Sequence, residues 1–215
     1  MTEAGTGGRN QVVLVVHGPA GAGKDRLIDH LLAAKEIARA VSSTSRPARP
    51  EEVEGIHYHF VPGPAPFQRA IETGEFAESF WVHGQGKGLT WAEVRRRLDD
   101  GGDFIIKTDV NGARHWREAM TGAVDVLILP AVTSRSLGFH RAVLRARILA
   151  REPHIDASEL AQRLNDASAE ILDAPNADYV IVNRDGGLAR AQAELVAILD
   201  RERRNLRRPR PAFRV

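Results

Sequence analysis

Residues 12 to 25 read VVLVVHGPAGAGKD, in which an apolar β-type run is followed by a glycine-rich loop that ends in a lysine. Gly18 and Gly23 allow the backbone to curl so that successive N–H groups point at one anion, and a helix that starts after the loop adds its positive end. Lys24 can reach between two phosphates. The pattern G-x-x-x-x-G-K between a strand and an amphipathic helix therefore predicts a nucleotide phosphate site, formed by Gly18, Pro19, Ala20, Gly21, Ala22, Gly23, Lys24 and Asp25.

Asp25 occupies the position where this pattern usually has Ser or Thr, whose hydroxyl ligates Mg²⁺. A carboxylate about 4 Å from a phosphate charge is repelled by on the order of 4 kcal/mol at an effective dielectric near 20. With Mg²⁺ present the sign changes, because this ion binds carboxylate oxygens together with substrate phosphates and waters. We therefore predict that Asp25 is a direct or water-mediated Mg²⁺ ligand. The alternative is an acid that only stabilises the start of a helix.

The composition is that of a globular protein, with 215 residues of which 43% are hydrophobic and 27% charged. This length fits one domain with an inserted subdomain better than two independent domains. The absence of cysteine excludes disulfides and thiolate metal sites, and it suits a reducing compartment. Residues 1 to 10 (MTEAGTGGRN) are polar and read as a flexible tail, and no apolar stretch approaches the roughly 20 residues of a membrane span. We therefore expect a cytoplasmic protein without a membrane partner.

The basic residues concentrate near the C-terminus. The net charge is only +2, although the isoelectric point is about 9.3 and the segment Arg201 to Arg214 reads RERRNLRRPRPAFR. Residues 205 to 215 are interpreted as a solvated basic tail rather than as a surface that binds nucleic acid, which is the alternative. The main domain is expected to span residues 11 to 204.

Strand and helix signals alternate along the chain. Strands separated by helices of ten or more residues favour an α/β fold, in which helices cover both faces of a parallel sheet. Residues of about 42 to 90 read as a mostly β insert. The predicted strands are 12–16, 37–41, 56–61, 76–82, 104–106, 124–129 and 179–182, and the predicted helices are 24–35, 65–74, 90–98, 134–151, 157–172 and 188–203.

The chain resembles the guanylate kinase family, a branch of the nucleoside monophosphate kinases with a P-loop. The resemblance rests on GPAGAGKD, SSTSRPARPEEVEGIHYHFV, ETGEFAESF, DVNGA and RL followed by DYVIVN, in this order. The most specific piece is T-S-R-P-x-R-P-x-E-V-x-G-x-x-Y-x-F, since no general requirement of the fold places these residues at that spacing. The resemblance implies transfer of the γ-phosphoryl group of ATP to GMP, with Mg²⁺. It also implies an acceptor-binding insert and an arginine-bearing lid at about residues 134 to 163, which close over the nucleotides.

The acceptor site is expected in the insert. Arg46 and Arg49 lie on a proline-rich extended segment and can act as planar donors to one phosphate, to which Tyr58 adds a phenolic hydroxyl. Glu52, the glutamate of the same motif, is included with Arg46, Arg49 and Tyr58 among the expected acceptor-binding residues. Taken singly, each of these residues would equally suit a surface ion pair or a turn.

The base of the acceptor is expected to be read by Glu78 and Ser42. Guanine presents two donors side by side, which match the two acceptor oxygens of one carboxylate, and a serine hydroxyl can donate to O6. Adenine would leave that carboxylate partly unpaired, a mismatch that can discriminate strongly.

The donor side is expected to use arginines, because phosphoryl transfer requires positive charge around three equatorial oxygens. The resemblance places these arginines in the segment that holds Arg141, Arg145, Arg147, Arg151 and Arg163. Arg151 and Arg163 are the candidates for catalysis. A solvated helix face is the alternative for the segment. Asn183 matches a family position beside adenine, although it could equally end a strand.

Several residues depart from the family pattern. Lys87 stands where the family has a phosphate-binding tyrosine, and Leu89 stands where it has a hydroxyl, although a slip of one residue could restore Thr90 at that position. Lys107 replaces an acid two residues before Asp109, which keeps its place and is expected at the acceptor site. Lys87 is also included among the expected acceptor-binding residues. The histidines are interpreted as structural, because the only close pair, His57 and His59, lacks further ligands.

Three alternatives to the guanylate kinase function remain open. The ending G-K-D resembles ribose 1,5-bisphosphate phosphokinases, so the acceptor could be that sugar phosphate or a modified nucleotide. A non-catalytic guanylate-kinase-like interaction module is favoured by the same departures but opposed by the intact Lys24, Arg46 and Arg49. A nucleic-acid binder acting through the basic tail would leave the insert motif unexplained. The oligomeric state cannot be inferred from the sequence.

Overall fold

The computed structural model describes residues 10–82 and 84–214. The chain divides into two compact units: one comprises the described residues up to Ala38 and those from Ile105 onward, and the other comprises Arg39–Phe104. The second unit includes the expected insert of residues 42 to 90 and extends beyond it on both sides. The expected N-terminal tail, apart from Asn10, and His83 lie outside the described residues. Among the helices described, none is long and apolar enough to cross a membrane.

The element order follows the α/β pattern expected from the sequence. The strands are β1 (Val13–His17), β2 (Ala38–Arg39), β3 (Ser43–Thr44), β4 (His59–Phe60), β5 (Phe76–Val82), β6 (Gln85–Thr90), β7 (Phe104–Lys107), β8 (Met120–Thr121), β9 (Val124–Leu129), β10 (Tyr179–Val182) and β11 (Ala212–Phe213). The helices are α1 (Lys24–Ala34), α2 (Pro64–Glu72), α3 (Trp91–Asp99), α4 (Val110–Ala119), α5 (Leu137–Arg151), α6 (Ala157–Leu172) and α7 (Leu188–Arg204).

The principal sheet has the strand order β10-β9-β1-β7-β2. Strand β9 pairs in parallel with β1 and with β10, in registers that include Val16↔Val126 and Ile181↔Ile128. Every residue of β1 and β9 is buried, as expected for strands covered on both faces. Helices α1 and α7 contribute Leu27 and Leu195 to the same core. This packing fixes the ends of β1 and β10, where the phosphate loop and Asn183 follow.

Helix α4 was not predicted, because the sequence DVNGA was interpreted only as a motif. Asp109 caps this helix, since its side chain accepts hydrogen bonds from the N–H groups of Asn111 at 2.9 Å and Gly112 at 3.0 Å. Asp156 caps α6 in the same way, with acceptance from Ser158 and Glu159. The predicted start of α6 is therefore confirmed.

The unit Arg39–Phe104 contains a four-stranded sheet in the order β4-β3-β6-β5. Strand β6 was not predicted, and it holds the segment in which the departures Lys87 and Leu89 lie. The predicted strand 56–61 is wrong in its first half and shrinks to His59–Phe60. The reason is a turn: Gly55 has a φ of 72°, and the N–H groups of Ile56 and His57 both donate to the carbonyl of Val53.

The C-terminal segment is packed, which corrects the interpretation of residues 205 to 215 as a solvated tail. Strand β11 pairs with β8. Arg208 donates to Glu202 at 2.7 Å and to the carbonyl of Ala123 at 3.0 Å. Glu202 is only 2% exposed, so it needs a cationic partner that the basic segment supplies. Part of the basic excess therefore stabilises the fold.

Candidate active site

The loop between β1 and α1 has the backbone of a phosphate cradle. Gly18, Gly21 and Gly23 have φ values of 136°, 86° and 90°. A Cβ atom at Gly18 would lie 2.2 Å from the carbonyl oxygen of Ile128, and one at Gly23 would lie 2.4 Å from Nδ2 of Asn183. Glycine is therefore required at both positions for conformation and for space. Helix α1 begins directly after Gly23 with no side-chain cap among the described residues, and the start of a helix favours an anion.

Lys24 folds back over this loop. Its ammonium donates to the carbonyl of Gly18 and, at 3.2 Å, to that of Pro19. Burial lowers the pKa of Lys24 to about 8, an effect that the carboxylate of Glu170 opposes and the charge of Lys107 reinforces. The ammonium is held by two neutral carbonyls, and an anionic phosphate in the loop would favour its charged form.

Asn183 connects the end of β10 to the loop. Its Nδ2 donates to the carbonyl of Ala22 at 2.8 Å, and its backbone carbonyl accepts from Nη2 of Arg147 at 2.7 Å. Arg147 also donates to Asp185 and to the carbonyl of Gly21. Sequence reasoning placed Arg147 only in the general arginine segment, since nothing in its spacing distinguishes it from the neighbouring arginines. A role of Asn183 beside adenine stays a prediction.

A cavity of about 260 Å³ lies beside the loop that follows β10. Its walls are largely apolar, with Arg184 and Asp185 at one side. Lining residues include Ala131, Val132, Phe139, Val143, Arg184 and Asp185. Apolar walls with a few polar groups, here Arg135, Arg184 and Asp185, are typical of small-molecule sites.

Asp25 and Lys107 form an ion pair between Oδ1 and Nζ. Asp25 lies in the first turn of α1 with a side chain 59% exposed, and Lys107 is the last residue of β7 with a side chain 28% exposed. In the first unit, the two residues that depart most clearly from the family pattern are therefore in contact. The carboxylate of Asp25 remains accessible from solvent, as a metal ligand must be.

His17, the last residue of β1, lies in a buried ionic cluster beneath the loop. Nδ1 is 3.0 Å from Glu170, and Nε2 is 2.9 Å from Asp125. Burial disfavours the imidazolium, but the hydrogen bonds and charges of Asp125 and Glu170 outweigh burial and raise the pKa of His17 to about 9. Glu170 also accepts from the N–H of Val110 at 3.2 Å, which ties α6 to the start of α4.

The same cluster continues to Asp173, whose carboxylate accepts from Arg114 and Arg117. Ligand atoms of His17, Asp125 and Asp173 lie within 4.8 Å of one another, a spacing that a cation could use. Arg117, however, already binds both aspartates. We therefore interpret the cluster as a charge-balanced structural network, in agreement with the structural role expected for the histidines.

Arg151 and Arg163 contact the same atom, Oε1 of Glu152. Arg151 Nε donates to it at 2.9 Å and Arg163 Nη1 at 3.1 Å. These hydrogen bonds, with that from Arg163 the stronger influence, lower the pKa of Glu152. The structure thus brings the two predicted catalytic arginines together, each 27% or more exposed at its side chain. Whether they reach a phosphate stays a prediction.

In the other unit, Arg46 is held by Glu52. Its two terminal nitrogens donate to the two carboxylate oxygens, both at 2.5 Å, and its guanidinium lies 5.1 Å from the ring centroid of Tyr58. Glu52 also accepts from the backbone N–H of Arg49, whose side chain is exposed. These contacts, led by the hydrogen bonds from Arg46, lower the pKa of Glu52 to about 2. The motif residues form one cluster, with Glu52 occupying the donor fork of Arg46.

Glu78, Lys87 and Leu89 share one face of the insert sheet. Leu89 is paired with Glu78 across β6 and β5, and Lys87 with Phe80. The opposite face is covered by α2, because a Cβ at Gly86 would lie 2.3 Å from the ring of Phe67. The predicted base reader and the two departures therefore lie side by side. Ser42 precedes β3, and its carbonyl accepts from the N–H of His59.

Comparison with known proteins agrees with this architecture. The family model described as guanylate kinase matches residues 10–202. The chain is 36% identical over 201 residues to the guanylate kinase of Alkalilimnicola ehrlichii, covering 92% of each protein, and 39% identical over 170 residues to that of Chromohalobacter salexigens, covering 79% of this chain and 74% of the relative. The crystal structure of guanylate kinase from Anaplasma phagocytophilum superposes with a TM-score of 0.63 at 26% identity, covering 93% of this chain and 89% of that one.

Proposed function

Since the chain belongs to the guanylate kinase family, we propose that it transfers the γ-phosphoryl group of ATP to GMP, giving ADP and GDP. The observation that carries this function is the match over residues 10–202, which includes both the phosphate loop and the clustered insert motif. The absence of cysteine supports a place for the reaction in the reducing cytoplasm.

The donor nucleotide is assigned to the first unit. The uncapped start of α1 and the loop N–H groups would bind the β- and γ-phosphates, and Lys24 would leave the carbonyls of Gly18 and Pro19 for them. The adenine would use the apolar cavity beside Arg184. Arg151 and Arg163 would exchange Glu152 for the phosphoryl group in transfer, where added positive charge stabilises the transition state.

Mg²⁺ fits the residues present. Asp25 offers an accessible carboxylate at the loop, and oxygen ligands of this kind suit the ion. When bound, Mg²⁺ would neutralise part of the negative charge of the phosphates. We therefore keep Asp25 as the proposed ligand, with the condition that it must release Lys107 in part.

The acceptor is assigned to the insert unit. Arg46, Arg49 and Tyr58 would bind the phosphate of GMP, with Glu52 displaced from the donor fork of Arg46. Glu78 and Ser42 would read the guanine edge. Asp109 belongs to the first unit, where its Oδ1 caps α4, and its expected role toward the acceptor stays a prediction.

A second candidate is a kinase for another phosphorylated acceptor, such as ribose 1,5-bisphosphate or a modified nucleotide. It is favoured by Lys87, which shares the face of Glu78 and adds a positive charge where the family has a tyrosine. An acceptor with a second phosphate would complement that charge.

The test is an assay of ADP release over GMP, dGMP, AMP, UMP and ribose 1,5-bisphosphate. We expect kcat/KM for GMP to exceed that for AMP at least tenfold, because AMP would leave the carboxylate of Glu78 partly unpaired. The Glu78→Gln variant should reduce this ratio, whereas Glu72→Gln, on the surface of α2 in the same unit, should not. Equal rates with GMP and AMP, or activity with the sugar phosphate alone, would reject GMP as the acceptor.

A further inference from the structure

The ion pair of Asp25 and Lys107 joins two positions 82 residues apart in sequence. Strands β1 and β7 are neighbours in the principal sheet, and the N–H of Thr108 donates to the carbonyl of Val16 at 3.1 Å. The end of β7 therefore lies beside the end of β1, at the edge where ligands of α/β sheets bind. This places the ammonium of Lys107 at the phosphate loop, opposite the start of α1.

Lys107 belongs to the same electrostatic environment as Lys24. The charge of Lys107 lowers the pKa of Lys24, whereas the charges of Asp25 and Asp109 raise it. Such coupling requires these groups to lie near one another. A polyphosphate that enters the loop would therefore meet two ammonium groups rather than one.

Asp25 alone would repel that polyphosphate. Lys107 cancels its charge, so the pair is neutral in the protein without nucleotide. A hydroxyl in place of Asp25 and an acid in place of Lys107, the arrangement expected from the family pattern, would instead carry one net negative charge. In this chain the acid, Asp25, lies on the helix, and a flexible cation, Lys107, lies on the strand.

We propose that Lys107 is a phosphate-binding residue of the donor site and that Asp25 is its counter-ion before nucleotide binds, an inference that rests on the assignment of ATP to this loop. Asp25 holds the ammonium at the loop before nucleotide arrives. On binding, Lys107 turns to the phosphate oxygens, and the carboxylate of Asp25 becomes available to the metal. Lys107 then supplies part of the charge neutralisation, so ATP should bind measurably without metal.

The experiment is calorimetric titration with ATP, in EDTA and in excess Mg²⁺. In EDTA, Lys107→Gln should weaken ATP binding at least tenfold, because it removes an attraction and no longer offsets the negative charge of Asp25. Lys107→Arg should retain most of the affinity. Asp25→Asn should bind metal-free ATP more tightly than wild type, and the double variant should return close to wild type, since its pair is again neutral.

A matched control is Lys35→Gln, which breaks the pair with Asp200, a lysine–aspartate contact of 2.8 Å with a lysine of similar exposure, 29%. It should leave ATP affinity unchanged. A Lys107→Gln affinity within twofold of wild type in EDTA would overturn the proposal. So would wild-type binding that needs Mg²⁺ absolutely. Failure to bind ATP under both conditions would instead reject the donor assignment, whereas a wrong acceptor would leave all these titrations as expected.

Discussion

Replacing His17 by Gln should remove a pH-dependent part of the stability. In the native protein His17 bridges Asp125 and Glu170, and its pKa is raised to about 9 from the ordinary 6.5. The native state therefore holds this proton more tightly than the unfolded chain does. The resulting stabilisation is fully present below pH 6.5 and is lost as the pH rises through about 9.

The magnitude follows from the pKa values. Each pKa unit corresponds to about 1.4 kcal/mol, so the rise at His17 corresponds to on the order of 3 kcal/mol. Glutamine can donate a hydrogen bond but cannot carry the charge. The free energies of unfolding of wild type and His17→Gln should thus differ by about 3 kcal/mol at pH 6.5, and this difference should fall below about 1 kcal/mol near pH 10.

Urea unfolding followed by circular dichroism, at intervals from pH 6.5 to 10, measures both proteins. Lys24 acts in the opposite direction, because burial lowers its pKa to about 8 and its contribution increases stability at higher pH. The difference between the two proteins cancels that contribution. His140→Gln is the control: burial lowers the pKa of His140, so only its unfolded form titrates near pH 6.5, and its difference from wild type should change by no more than about 0.4 kcal/mol over this range. A constant difference for His17→Gln would refute the ionic bridge.

Two further predictions concern the insert unit. Arg46→Ala should raise the acceptor KM and lower kcat, each about tenfold or more, because a bidentate cation is lost from the acceptor site, while the ATP affinity measured by calorimetry stays unchanged. Arg69→Ala, which changes an exposed arginine of α2, is the control. A comparable loss of ATP affinity in Arg46→Ala would show that Arg46 serves the donor. Gly86→Ala should destabilise this unit by about 1–3 kcal/mol, since its Cβ would lie 2.3 Å from the ring of Phe67. Limited proteolysis should detect the loss as faster cleavage. Gly102→Ala is the control: a Cβ there would have no atom within 4 Å, so this variant should be cleaved at the wild-type rate.

The sequence predicted the elements whose signals are local. Strands β9 and β10 and helix α6 have the predicted bounds. Each has a dense apolar pattern with a clear end signal: Pro130 stops β9, Asp156 caps α6, and the polar run from Asn183 to Gly187 follows β10. Strand β6 was missed because three of its six residues, Gln85, Gly86 and Gly88, have little intrinsic β propensity. Its conformation is decided by the pairing with β5. The C-terminal strand was missed for a related reason, since a basic sequence gives no sign that Glu202 lies buried beside it.

The candidate site likewise contains residues that local sequence patterns predict and residues that they do not. The phosphate loop was predictable because its chemistry resides in consecutive residues. The contacts of Arg147 with the loop and of His17 with Asp125 and Glu170 join distant segments, and no pattern in one sequence indicates them. The pairing of Asp25 with Lys107 is the clearest case, since the sequence shows each residue only as a separate departure from the family pattern, and the structure shows that their charges balance.

Arg46 and Lys107 share a further property: each proposed ligand-binding cation is already held by an acid, Glu52 in one unit and Asp25 in the other. A substrate phosphate must therefore displace a carboxylate, which weakens binding but keeps the cation in position beforehand. For Arg46 a moderate fall in pH does not relieve the competition, because the hydrogen bonds from Arg46 and from the N–H of Arg49 lower the pKa of Glu52 to about 2. The exchange requires the incoming group to match the bidentate geometry of a carboxylate, so the pair favours planar or tetrahedral oxyanions over simple monovalent ions such as chloride.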